Sequence, residues 1–180
     1  CISKRLIQSF KEEMSADSIP LEGIKERTSR QPLDVLIVPL FLHQNKRNQP
    51  MSTLSCEVLE LLQVIATYDK LPTVVFLSYG CDGPVIPFNE SKSREDFLPS
   101  GAGVRGLVRT ARIELPRARL LCIDTDALRV DDEDDRGVIN ASEVALQVKR
   151  EIASSDGNSE VAYRGGVRWV PKLLLKASSE

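Results

Sequence analysis

The sequence is poor in histidine, and this limits the catalytic sites that it can form. His43 is the only histidine among 180 residues, and it lies in a polar stretch, HQNKRNQPM, without the nucleophile and acid of a catalytic triad patterned around it. We therefore interpret His43 as a solvated loop residue. Ser78 does not complete the G-x-S-x-G turn of a hydrolase. The acidic run Asp131–Asp135 lacks the glycine and the spacing of a calcium loop, so we interpret it as a solvated connector.

The sequence also lacks the Tyr-x-x-x-Lys pair of short-chain reductases, in which the lysine lowers the pKa of a tyrosine that transfers a proton. The three tyrosines are followed four positions later by other residues: Tyr68 by Pro72, Tyr79 by Gly83 and Tyr163 by Val167. We therefore predict that this chain carries no catalytic residue.

The sequence also lacks closely spaced cysteine pairs, a large net charge and long apolar runs. None of the 4 cysteines forms a C-x-x-C pair, so we predict no metal site and reduced thiols in a cytoplasmic protein. The net charge of −2 gives no electrostatic case for nucleic acid. No apolar run approaches the roughly 20 residues that span a bilayer, and the first residues lack the apolar core of a signal peptide. We expect neither nucleic acid nor membrane as a partner.

What the sequence does contain is an alternation of helix and strand patterns. Amphipathic helices are predicted around Ile2–Met14, Leu54–Ala66, Val104–Leu115 and Val144–Ile152, and strands at Asp34–Phe41, Thr73–Tyr79, Leu120–Ile123 and Glu160–Arg164. This alternation predicts an α/β fold with a mostly parallel sheet, helices on both faces and right-handed crossovers. The pair Gly165–Gly166 predicts a C-terminal β-hairpin, and Asn140 with Glu143 predicts a capped helix start. The length suits one domain over residues 1–180.

The stretch GAGVRG matches the G-x-G-x-x-G pattern of dinucleotide-binding turns through Gly101, Gly103 and Gly106. Such a turn follows directly on a strand, so that the pyrophosphate meets the start of the helix. Here the preceding clear strand ends near Tyr79. We therefore favour a glycine-rich helix entry that packs closely on a neighbour. A complete NAD(P)-binding oxidoreductase domain that uses these glycines stays open as an alternative.

Arg105, Arg109 and Arg112 project together from the helix that follows these glycines. They could bind phosphate. We favour a solvated helix face or ion pairs with acidic residues of a partner domain.

Three motifs resemble the ketoreductase region of modular polyketide synthases. They are GLVRTARIELP (Gly106–Pro116), LLCIDTD (Leu120–Asp126) and EVAYRGGVRWVPKLL (Glu160–Leu174). They look like the first, structural half of that region, a truncated Rossmann-like subdomain of the short-chain dehydrogenase/reductase type. The resemblance is strong over residues 101–175 and only topological before them. It gives structural roles to seven motif residues: Gly106, Arg109, Arg112, Glu114, Pro116, Asp124 and Asp126.

The resemblance implies that the chain is cut from a larger multidomain synthase, in which two reductase-like halves pack as a pseudodimer. Only the second half would bind NADPH and reduce β-ketoacyl groups, and this chain would bind no cofactor. Its implied partners are the catalytic ketoreductase subdomain, neighbouring synthase domains and, transiently through the parent, an acyl carrier protein. A pseudo-ketoreductase scaffold beside other modifying domains is the alternative.

The C-terminal hairpin is the predicted interface with the catalytic half. Its apolar residues exceed what a free sheet edge should expose; they are Val161, Tyr163, Val167, Trp169 and Val170. The resemblance implies that this region leads into the partner subdomain, so we expect Trp169 and its neighbours to line the seam between the halves. A tryptophan in the core of this domain stays open as the other interpretation.

Overall fold

The structure is a computed structural model that describes residues 2–14, 24, 33–40, 51–81, 99–126 and 140–172. The predictions for His43 and for Asp131–Asp135 lie outside the described residues. In chain order the described elements are α1 (Ile2–Met14), β1 (Val35–Pro39), α2 (Met51–Ala66), β2 (Thr73–Tyr79), α3 (Pro99–Glu114), β3 (Arg119–Thr125), α4 (Ala141–Ala153), β4 (Glu160–Arg164) and β5 (Val167–Trp169).

The strands form one five-stranded sheet in the order β1-β2-β3-β4-β5. The first four strands are parallel, and β5 runs antiparallel to β4. The predicted α/β class, the mostly parallel sheet and the C-terminal hairpin are therefore confirmed. The turn of the hairpin is formed by Gly165 and Gly166, whose φ angles of 57° and 76° are accessible to glycine at little cost.

Side chains that alternate along β2 and β3 define two faces of the sheet. Val74 and Phe76 lie on the side of α2 and α3, which we call the α2/α3 face, whereas Val75 and Leu77 lie on the side of α1 and α4, the α1/α4 face. Both faces are covered by apolar helix residues, so the central strands are buried on both sides as parallel strands usually are. The predicted placement of helices on both faces is confirmed.

The connections between the parallel strands do not all have the same hand. Strands β1 to β4 follow one another in one direction across the sheet. Helices α2 and α3 cover one face and α4 covers the other. Connections that advance in the same direction on opposite faces have opposite hands, so the expectation of right-handed crossovers throughout is wrong. The crossover through α4 places that helix against α1, where both bury apolar side chains, including Phe10 and Val148.

Local signals set the ends of α3 and α4. Asn140 Oδ1 accepts the backbone N–H of Glu143 at 3.1 Å, which confirms the predicted cap of α4. Helix α3 begins at Pro99, earlier than the glycine-rich pattern predicts, because proline suits the first turn of a helix. Among the described residues, no helix has both the length and the apolar character needed to cross a membrane.

Candidate functional site

In this topology, the place expected for a ligand-binding crevice is at the carboxyl ends of β2 and β3. The chain leaves β2 towards α3 on one face and leaves β3 towards α4 on the other. In open α/β sheets, ligands bind where adjacent strands send their connections to opposite faces. The side chains at the ends of these two strands therefore form the candidate site.

The crevice is occupied by the side chain of Asp124, which is fully buried near the end of β3. Ser78 Oγ, on the neighbouring strand, donates to Asp124 Oδ1 at 2.5 Å. The backbone N–H of Cys81 donates to both carboxylate oxygens at 3.0 and 3.1 Å. Arg164, at the end of β4, forms an ion pair with Asp124 Oδ2. The carboxylate that could have met a ligand is thus held by the protein itself.

Asp126, the second acidic residue of the LLCIDTD motif, also contacts the hairpin. Its Oδ2 accepts the backbone N–H of Gly165 at 2.6 Å. Between the two acids, Thr125 Oγ1 donates to Gln147 Oε1 at 3.0 Å and so connects β3 to α4. Asp124 and Asp126 therefore both anchor the turn after β4.

The three glycines of the candidate cofactor turn lie inside helix α3 and not in a loop before it. Gly101 and Gly103 belong to its first turns, and Gly106 is exposed on its outer side. Among the described residues, a Cβ atom at Gly106 would meet nothing within 4 Å. Against this part of the chain, the expectation that Gly106 packs closely on a neighbour is therefore wrong. Two further motif residues, Glu114 and Pro116, are exposed at the end of this helix.

The arginines of α3 converge on Glu160, the first residue of β4. Arg109 donates two hydrogen bonds to the Glu160 carboxylate, from Nε at 2.7 Å and from Nη2 at 2.6 Å. Arg112 Nη1 contacts the same carboxylate at 2.7 Å, and Arg105 Nη1 lies 3.9 Å from it. Arg112 also donates to the backbone oxygens of Leu120 and Ser159, at 2.9 and 2.8 Å. The acid that these arginines share therefore belongs to this chain and not to a partner domain. The expectation of a solvated face is wrong for Arg105 and Arg112, whose side chains are 5% and 19% exposed, whereas that of Arg109 is 59% exposed.

Two groups beneath these arginines have shifted pKa values. The hydrogen bond from Arg109, with further contributions from Arg112, lowers the pKa of Glu160 to about 2 despite the opposing effect of burial. Burial raises the pKa of the Cys122 thiol, which lies under Arg112. Glu160 is therefore ionised at neutral pH, and it serves as the counterion of α3.

A second buried carboxylate, Glu151 of α4, holds the hairpin on the α1/α4 face. Tyr163 donates its hydroxyl to Glu151 Oε1 at 2.5 Å. Arg168 donates to both Glu151 oxygens, at 2.7 and 2.9 Å, and also contacts Asp156 at 2.7 Å. Burial, reinforced by Glu151, raises the pKa of Tyr163 above its usual value. Tyr163 is therefore a neutral hydrogen-bond donor in the core.

The predicted interface residues divide into two groups. Val161 and Tyr163 are buried on the α1/α4 face, at 2% and 1% exposure, so the expectation that they present apolar surface is wrong. Val170 is half-buried against the same core. Val167 and Trp169 are exposed at 55% and 43%. Only these two of the five have more than a third of their surface open to contact.

The described part of the chain contains no cluster of side chains that could bind a metal ion. Within those residues, no group of three or more His, Cys, Asp or Glu side chains lies close enough together to hold a metal ion. Within the described residues, Cys56, Cys81 and Cys122 form no disulfide.

The fold and the crevice together define a Rossmann-like α/β domain. The chain matches the family model described as polyketide synthase extender module SpnB, Rossmann fold domain, over residues 9–173. Because the match covers most of the chain, the chain belongs to this family. The relationship to polyketide synthases predicted from the three motifs is confirmed.

A solved structure shares this fold. The chain is similar to part of a structure described as the adenylation, ketoreductase, and pseudo Asub multidomain structure of a keto acid-selecting NRPS module, with 17% identity and a TM-score of 0.54. The match covers 84% of this chain and 12% of that one, so the chain spans a small part of that protein's length. At this identity the likeness is one of fold. No curated protein sequence matches the chain.

Proposed function

We propose that the chain is the non-catalytic structural half of a polyketide synthase ketoreductase, which packs on and stabilises an NADPH-dependent catalytic half. The occupied crevice carries this proposal. Arg164, Ser78 and the Cys81 N–H hold the Asp124 carboxylate where an open α/β sheet would bind its ligand. The missing Tyr-x-x-x-Lys pair supports the same function.

The relationship to polyketide synthases supports the rest of the proposal. In the parent synthase, the catalytic half would bind NADPH and reduce β-ketoacyl groups on an acyl carrier protein, while this chain would bind no cofactor. The four cysteines, which lie far apart in the sequence, support a reducing, cytoplasmic location.

Co-expression tests the proposal. The catalytic half of the parent ketoreductase is produced with and without this chain, and the reduction of a β-ketoacyl thioester is followed by NADPH oxidation. We expect soluble, active catalytic half only in the presence of this chain. Equal activity without the chain would refute the structural role. An inactive but stable complex would favour the pseudo-ketoreductase scaffold.

Trp169 is the contact that we propose for the seam between the halves. It is 43% exposed beside Val167 on the terminal strand, and an exposed aromatic is a common interface anchor. Trp169→Ala should weaken the complex of the two halves by about 2 kcal/mol or more. Ile113→Ala, which removes an exposed apolar side chain from α3, is the matched control and should leave the affinity unchanged. If Trp169→Ala instead unfolds the chain and leaves the affinity of the folded fraction intact, Trp169 is a core residue.

A further inference from the structure

The C-terminal hairpin is held to the rest of the sheet by few backbone contacts. β2 and β3 pair over seven residues, whereas β3 and β4 pair over three, from Cys122↔Glu160 to Asp124↔Ala162. Beyond Ala162, β4 continues into the turn, and within the described residues β5 pairs with β4 alone. Backbone pairing therefore fixes the base of the hairpin and leaves its tip to side-chain contacts.

The tip is tied to the sheet at the crevice. Arg164 is 7% exposed and reaches from the last residue of β4 to Asp124 on β3. Asp124 is in turn bonded to Ser78 and to the backbone of Cys81, at the end of β2. One buried carboxylate thus connects the hairpin tip to two neighbouring strands.

A guanidinium group is well suited to fix a position in this way. It is planar and always charged, and it presents its donors in a rigid fork. Its withdrawal would take from the buried Asp124 carboxylate the cationic partner that Arg164 provides, which is costly in a site shielded from water. Among the bonds between described residues, that of Gly165 to Asp126 would remain at the tip, and those of Tyr163 and Arg168 to Glu151 would remain on the α1/α4 face.

We infer that the Asp124–Arg164 pair is a latch that sets the position of the hairpin, and with it the position of Trp169. Arg164 is a positioning residue in this device, because it acts on Trp169 through the backbone of the hairpin and need not touch any partner. Both residues of the pair belong to this chain, so their role does not depend on the proposed function. The crevice emptied by removal of Arg164 should accept a free guanidinium ion.

Trp169 is the only tryptophan of the chain, so its fluorescence reports the hairpin directly. In Arg164→Ala we expect lower fluorescence anisotropy and a red-shifted emission, while far-UV circular dichroism stays that of the folded chain. Millimolar guanidinium chloride, far below denaturing concentrations, should restore the wild-type signal, and equal sodium chloride should not. A role confined to stability would not produce this rescue.

The control is Arg119→Ala. Arg119 donates to the backbone oxygens of Glu151, Ile152 and Ser154 at the end of α4, and none of these bonds involves the Glu151 carboxylate that holds the hairpin. This variant should lose stability without changing the Trp169 signal of the folded fraction. If Arg164→Ala does not fold, Arg164→Lys, which keeps the charge and loses the fork, decides through the same signal. A Trp169 signal like that of wild type in the folded Arg164 variant, or no rescue of folded Arg164→Ala by guanidinium, would overturn the inference.

Discussion

Replacing Glu160 by Gln should destabilise the chain by about 3 kcal/mol at pH 7, the lower end of the range for breaking a buried ion pair. The Glu160 side chain is 9% exposed, and those of Arg105 and Arg112 are 5% and 19% exposed. The amide would leave these shielded guanidinium groups without their shared carboxylate. We take the lower end because Arg112 keeps its two backbone acceptors and Arg109 can turn into water.

Urea unfolding followed by circular dichroism measures this loss. Arg109→Ala is the matched control: its side chain is 59% exposed, so its removal should cost about 1 kcal/mol or less. A Glu160→Gln variant within about 1 kcal/mol of wild type at pH 7 would refute the reasoning, since it would mean that the buried charges are compensated elsewhere.

The pH dependence gives a second check on the same pair. The pKa of Glu160 falls from an ordinary value of 4.5 to about 2 on folding. The stability that the carboxylate contributes is therefore fully present above about pH 4.5 and is lost as the pH falls towards about 2. The difference between wild type and Glu160→Gln should shrink over this interval. A difference that stays constant down to pH 2.5 would contradict the assignment.

Three other changes test the local structure. Gly165→Ala places a side chain at a φ of 57° and should lower the free energy of unfolding by about 1–2 kcal/mol. Gly106→Ala, in a helix with open space around it, should raise the free energy of unfolding by about 0.5–1 kcal/mol. Urea unfolding that gives both changes the same sign would contradict this. Asn140→Ala should cost about 1 kcal/mol through loss of the cap of α4, and no cost would show that the cap is replaced by water. Exposed Cys56 should react with iodoacetamide in the native chain. Buried Cys122, whose pKa is raised, should react only after unfolding. Mass spectrometry that finds Cys122 modified first would contradict its burial.

The parts of the fold that the sequence predicts correctly rest on interactions between near neighbours. The cap at Asn140 depends on a residue three positions later, and the hairpin turn depends on two adjacent glycines. The buried strands β2 and β3 have apolar runs bounded by polar residues, which is the pattern of a strand covered on both faces. Such patterns are complete within a few residues, so a single sequence is enough to read them.

The parts that the sequence does not predict depend on pairs far apart in the chain. Glu160 lies 51 residues after Arg109, and Arg164 lies 40 residues after Asp124. A charged residue within an apolar sequence pattern indicates that it needs an oppositely charged partner in the folded chain. The pattern does not show which residue that partner is. One signal was available for Val161 and Tyr163: they alternate along β4 with Glu160 and Ala162, and alternation places them together on one face.

Calorimetric titration of NADPH into the chain tests most directly the claim that this half does not carry the cofactor. We predict no saturable heat at millimolar NADPH, because Asp124, Arg164 and Ser78 occupy the crevice and the glycines of GAGVRG lie within a helix. Gly103→Asp, which would place a negative charge against any bound pyrophosphate, should give the same trace as the wild type. A saturable isotherm for the wild type that Gly103→Asp abolishes would contradict the account.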